Sequence, residues 1–204
     1  MRSLNRIATL SLRNIKEIVR EPLSLIFSLG LPLVMEIGFY YIFHDLTPQF
    51  GIKYLAPGII AFSQTFLTLF TGILVSVDRN SSFLTRLYVS KAKPFEFILG
   101  YVFALLPVGI IQSILFFIAG GIIDPTFFSA GMLAGIGVSA ITAIFYIGFG
   151  ILFGSLCNEK SVGGISSIII TGQSVLSGMW FPLEGLSEGF LTIMRILPLK
   201  TAPI

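Results

Sequence analysis

Apolar runs long enough to cross a bilayer follow one another along this chain, and one densely charged island, Asp78 to Pro94, breaks their succession. A helix needs ~20 residues to cross the hydrocarbon core. Five stretches approach or exceed that length, at about 23–43, 54–77, 97–123, 129–156 and 162–180. In lipid, every backbone polar group must be paired within the protein, which leaves helices or a closed barrel. The period-two alternation of a barrel is not seen, and only 11% of residues are charged, against about 25% in a soluble domain. With a mean hydropathy of +0.93, the expectation is an all-α integral membrane protein with five transmembrane helices, read as one domain over residues 1–204.

Residues 1–21 are polar enough to stay out of the core but are periodic. At ~100° per residue, Leu4, Ile7, Ala8, Leu12, Ile15, Ile18 and Val19 share one face. Arg2, Arg6, Arg13, Lys16, Glu17 and Arg20 share the other, and Leu10 is the large apolar residue off the stripe. Such a basic amphipathic helix lies in the head-group plane. A helix packed on a soluble partner would read the same way. A secretory leader would be shorter before its apolar run and followed by a cleavage site. Pro22 ends the helix, since proline cannot continue the hydrogen-bond ladder. With a cytoplasmic amino terminus, ten basic residues, among them Arg79, Arg86, Lys91 and Lys93, fall inside and three (Lys53, Arg195, Lys200) outside. This positive-inside bias predicts a multi-pass protein of the cell (inner or plasma) membrane with the island in the cytoplasm. The basic residues flank apolar spans, so topology and lipid head groups account for them and no nucleic-acid partner is expected.

Polar residues inside the spans are the candidates for function. Glu36 costs roughly 2.5–3.5 kcal/mol on insertion scales, so it faces protein or water. It contacts a cationic substrate or a proton, or it bonds a neighbour such as Tyr40, one turn away. Gln64, Thr68 and Thr71 share a face that either glues helices together or lines a wet path, and Gln173 is the polar residue of the fifth span. Pro32 is expected to kink the first span; Pro107 and Gln112 interrupt the third for shape. The pairs Gly131/Gly135 and Gly150/Gly154 are expected to pack helices closely within one protomer. Cys157 reads as a small buried hydrophobe, and His44 has no partners at metal-ligand spacing, so no metal site is expected. The end of the chain, 181–204, mixes Gly, Pro, Glu184 and Glu188 and reads as an outer re-entrant hairpin after Trp180.

Three stretches together resemble the ABC-2 type transporter permeases, the membrane subunits of a class of ABC exporters, in particular the drug-resistance branch. The island DRNSSFLTRLYVSKAKPFEFILG is similar to the family's first cytoplasmic loop: Asp78-Arg79, Phe83-Leu84, Arg86-Leu87, Ser90, Pro94, then Gly100. The tail SGMWFPLEGLSEGFLTIMRILPLKTA is similar to its outer segment, and YLAPGIIAF to the start of its second span. Two departures stand out. Ser81-Ser82 occupies a place where the family commonly has glycine, and the family's sixth span, after the Pro-Leu element, does not follow, so the chain is expected to stop before its last helix.

The resemblance implies a permease subunit that moves an amphiphilic or drug-like substrate outward by alternating access. It implies a dimer with a second copy or a paralogous permease. There is no G-x-x-x-x-G-K-[ST] run, so the chain is expected to bind no cofactor itself, with ATP and Mg held by a separate ATPase subunit. Phe83, Leu84, Leu87 and Tyr88 fall on one side of a short helix that fits a groove on that ATPase, with Arg79 and Arg86 at its edge. Lys91 and Lys93 only hold topology. Export of a lipid or polysaccharide by the same machinery stays open. A carrier or channel without an ATPase would call for inverted repeats and more charges in the membrane than Glu36. An enzyme would need a catalytic constellation, and no carboxylate pair or Ser-His set is seen.

Overall fold

The computed structural model describes residues 2–46, 50–81, 93–125 and 130–176. They form six helices: α1 (Arg2–Arg20), α2 (Pro22–Phe43), α3 (Ile52–Asn80), α4 (Pro94–Ile123), α5 (Ala130–Leu156) and α6 (Glu159–Leu176). No strand occurs among the described residues. The protein is an all-α membrane protein. Among the described residues four helices are long and apolar enough to span a bilayer, over Leu25–Phe43, Ile52–Asn80, Pro94–Ile123 and Met132–Leu156. The fifth expected span coincides with α6, which is more polar and packs against α3. The expected outer hairpin and Trp180 lie outside the described residues.

Helix ends depart from the apolar runs where capping decides them. Pro22 is the first residue of α2 and Pro94 of α4, positions where the missing N–H costs nothing. The island therefore loses its ends: Asp78, Arg79 and Asn80 complete the last turn of α3. Glu159 and Lys160, which precede the expected fifth span, open α6, because the Asn158 side chain accepts a bond from the Ser161 amide at 2.9 Å, an N-cap. α2, α3 and α4 continue through Pro32, Pro57 and Pro107.

α3 is the centre. Two thirds of its most apolar window is buried, against 17% for α2 and 28% for α5. At one end, Leu55, Ile59, Ile60 and Phe62 pack with Phe116 and Phe117 of α4, and Leu33, Met35 and Phe39 of α2 close over them. Further along, Leu67 meets Leu105 of α4 and Ala143, Tyr146 and Ile147 of α5. Of the glycines expected to pack closely, Gly135, Gly150 and Gly154 do so within this chain. A Cβ on Gly154 would lie 2.5 Å from the Gly72 carbonyl oxygen, and one on Gly72 would lie 2.6 Å from Val162 of α6. Gly135 packs on the Phe117 ring.

Gly154→Ala should therefore destabilise the bundle by roughly 1–3 kcal/mol through overpacking against backbone. Gly148→Ala, whose Cβ meets nothing within 4 Å, should be neutral or gain up to about 1 kcal/mol of helix propensity. Thermal unfolding in detergent separates the two; equal melting temperatures would contradict the α3–α5 contact.

Candidate functional site: the α1 end of the bundle

α1 has three faces rather than two. Leu4, Leu12 and Val19 are exposed, as an apolar stripe set against acyl chains would be. Ile7, Ser11 and Asn14 are buried on a second face that packs along α4. Leu10, the residue off the stripe, belongs to that second face. It lies against Gly100, where a Cβ would come within 2.9 Å of Leu10 Cβ. The third face carries the basic residues, and two of them reach into the protein.

Arg13 donates from both terminal nitrogens to Asp78, at 2.5 and 2.6 Å, the bidentate geometry that makes arginine–carboxylate pairs strong. Asp78 also accepts from the Tyr101 hydroxyl of α4 at 2.7 Å. Its side chain is 1% exposed while that of Arg13 is 30% exposed, so a buried anion is tied to a half-exposed cation. Burial opposes the Arg13 charge, but the hydrogen bond and charge of Asp78 outweigh it and hold the pKa above the ordinary arginine value. One carboxylate thus joins α1, α3 and α4.

A second carboxylate repeats the pattern one step along α1. Glu96, in the first turn of α4, accepts from the Ser3 hydroxyl at 2.5 Å and from Arg6 at 3.4 Å. It also accepts from the Lys93 amide at 3.1 Å, satisfying a helix-start donor. On the far side of α3, Arg79 donates to the carbonyls of Ser155 at 2.6 Å and Cys157 at 2.8 Å, and Ser76 donates to Cys157 at 3.3 Å. A cation on the last carbonyls of a helix pairs them and complements its dipole.

Arg79 was expected at the edge of a docking face; its guanidinium instead closes the carboxyl end of α5. Phe83, Leu84, Arg86, Leu87 and Tyr88 lie outside the described residues. What the sequence reading missed is the anchor itself: Asp78, Arg13, Tyr101 and Glu96. The one available signal was a carboxylate at the apolar edge of a span, facing arginines of a preceding amphipathic helix.

The expected pathway residues divide. Gln64 donates to the Ser113 hydroxyl at 3.1 Å and to the Ser139 carbonyl at 2.8 Å, and its own carbonyl accepts from Thr142. Thr68 donates to the Tyr146 carbonyl at 3.0 Å, and Thr71 to Leu67 of its own helix at 2.6 Å. The Gln64 and Thr68 bonds join α3 to α4 and α5. Gln173 is buried on α6. Glu36 stands apart. It is fully buried, and neither carboxyl oxygen has a partner among the described residues. No bond to Tyr40 forms; that ring stacks on His44, centroids 4.6 Å apart.

The ABC-2 type transporter family model matches residues 5–202. The chain belongs to the ABC-2 type transporter family. This makes it the permease component of an ABC transporter. No curated protein and no solved structure matches the ABC-2 permease.

Tyr101→Phe should cost about 1.5–3 kcal/mol, the value of a hydrogen bond to a charged group. Asp78→Asn should cost more, since it removes the bidentate ion pair with Arg13 and the charge that strengthens the Tyr101 bond. Denaturation in detergent measures both, and wild-type stability in both variants would show the junction to be unimportant to the fold.

Proposed function

We propose that this permease is the transmembrane subunit of an ATP-driven exporter that carries an amphiphilic or drug-like substrate out of the cytoplasm. It works with a second copy or a paralogous permease and with separate ATPase subunits that hold ATP and Mg. The amino terminus and the 82–92 segment face the cytoplasm of the cell membrane, in keeping with the ten-to-three bias of basic residues.

The observation that carries this reading is the anchoring of both ends of that segment. Before it, Asp78 and Arg79 bind α1, α4 and α5; after it, Glu96 binds α1 and the Lys93 amide. A displacement applied between residues 81 and 93 is therefore delivered to four helices together. The apolar face of Phe83, Leu84, Leu87 and Tyr88 is the part that docks in the ATPase, with Arg86 meeting acidic groups at its rim. Arg79 passes the movement to α5. When paired ATPases close on ATP, two such segments move and the spans tip between inward- and outward-open states. Glu36 contacts a cationic group of the substrate or holds a proton during that change, because a buried carboxyl without a partner gains from either.

Phe83→Asp or Leu87→Asp should abolish copurification with the cognate ATPase while leaving the permease folded. Association and ATP-dependent transport retained in both would overturn the coupling assignment. Glu36→Gln should reduce transport of cationic substrates selectively; an unchanged substrate profile would make Glu36 a packing residue.

A further inference from the structure

Between the end of α1, the start of α2 and the outward face of α3 lies a groove of about 310 Å³. Its wall is α3, from Leu69 through Ile73 and Leu74 to Val77, spaced one helical turn apart so that they share a face. The opposite face of α3 carries Thr68 and Gly72, which are used against α5. The rim is Glu17, Arg20 and Glu21 at the α1–α2 elbow.

The groove's depth in the membrane follows from α1. Its exposed Leu4, Leu12 and Val19 seat the helix at the boundary of head groups and acyl chains, so the charged rim lies at head-group level and the α3 wall at acyl level. Leu69 to Val77 is about 12 Å of helix. A volume near the low end of the roughly 300–1,000 Å³ range of ligand sites holds a head group and the upper part of one chain, leaving the remainder in the bilayer. The occupant that fits is a lipid of that leaflet.

The rim's charges select among lipids. Arg13 ion-pairs with Glu17 at 2.5 Å but is held on both terminal nitrogens by Asp78. Glu17 therefore shares Arg13 with Asp78, and Glu17 and Glu21 line the groove with Arg20 as the rim's own cation. Burial raises the Glu17 pKa; Arg13 and Arg20 oppose this, while Asp78 and Glu21 add to it. A cation entering here relieves that crowding of negative charge.

We propose that the groove is a binding site for phosphatidylethanolamine, with the ammonium between Glu17 and Glu21, the phosphate on Arg20 and one acyl chain along Leu69–Val77. A primary ammonium has three N–H donors for the two carboxylates. A choline head group has none, and a glycerol head group brings the phosphate's negative charge with no cation for the carboxylates. The proposal does not depend on the direction or cargo of transport.

Native mass spectrometry of the full-length permease, titrated with dioleoyl phosphatidylethanolamine, phosphatidylcholine and phosphatidylglycerol, tests it. Phosphatidylethanolamine should be retained on the order of tenfold over either competitor, the ratio expected of one charge-assisted hydrogen bond. The Glu17→Gln, Glu21→Gln double variant should remove the preference, and Leu74→Trp, which fills the wall, should lower retention of all three lipids. If the double variant does not fold, Glu21→Gln alone decides, because it leaves the Arg13–Glu17 pair in place. Equal retention of the three lipids overturns the proposal. So does a phosphatidylglycerol preference, which would put the lipid on the arginines of α1, or an ethanolamine preference that survives loss of the carboxylates.

Discussion

A polar atom buried in a bilayer has no water to return to, so each one must be answered by another part of the protein, and among the described residues α3 carries more buried polar side chains than any other helix. Gln64 uses its amide in both directions, to α4 and to α5. Thr68 reaches the backbone of α5. Where α3 carries no polar side chain it carries Gly72, and the α5 backbone comes close enough at Gly150 and Gly154 to exclude a Cβ. Apolar side chains alone would leave these helices free to slide, because lipid tails solvate leucine as well as a neighbouring helix does. Directional bonds and close backbone contact fix the register of α3, α4 and α5.

Charge is handled differently from neutral polarity. Asp78 is as buried as Gln64, but it sits at the end of α3, where a half-exposed arginine can reach it without itself leaving water. The cost of desolvating the pair is thereby shared with the interface, and a bidentate contact plus a tyrosine hydroxyl repays it. The same bonds explain why α1 stays on the bundle. An amphipathic helix has affinity for the interface anywhere around a protein; Asp78 and Glu96 give this one a fixed seat.

The spans were legible in the sequence because apolar length alone specifies them. Their ends were not, since each depends on a partner distant in the chain. Whether α3 stops at Val77 or Asn80 is decided by carbonyls at Ser155 and Cys157 that Arg79 can pair. Leu10 looked out of place on a two-faced wheel because the wheel had no room for a protein-facing side, and only Gly100 explains it. Asp78 stood at the start of a charged run, where one more carboxylate is unremarkable; its partners are 65 residues before it and 23 after it. No local period reports such a contact. The shared face of Gln64, Thr68 and Thr71 was visible, but glue and pore lining have the same spacing, and only hydrogen-bond partners tell them apart.

α2 is held by none of these devices. Among the described residues its cross-helix hydrogen bond is a long one, from Gln112 to Ser28 at 3.5 Å, and its other contacts include packing of Leu33, Met35, Phe39 and Tyr40 on the α3–α4 cluster and of Phe39 and Phe43 on Phe50. Packing without directional bonds tolerates sliding, whereas the α3–α5 boundary would have to break paired polar groups in a medium that cannot replace them. A permease that alternates between two states needs at least one boundary whose rearrangement strands no polar atom. In the proposed alternating-access reading, that boundary runs along α2, which carries Glu36, the carboxylate without a partner among the described residues. A group left unanswered in one arrangement is the one that a substrate, a proton or the other arrangement can answer, and this ties the least constrained helix to the least satisfied side chain.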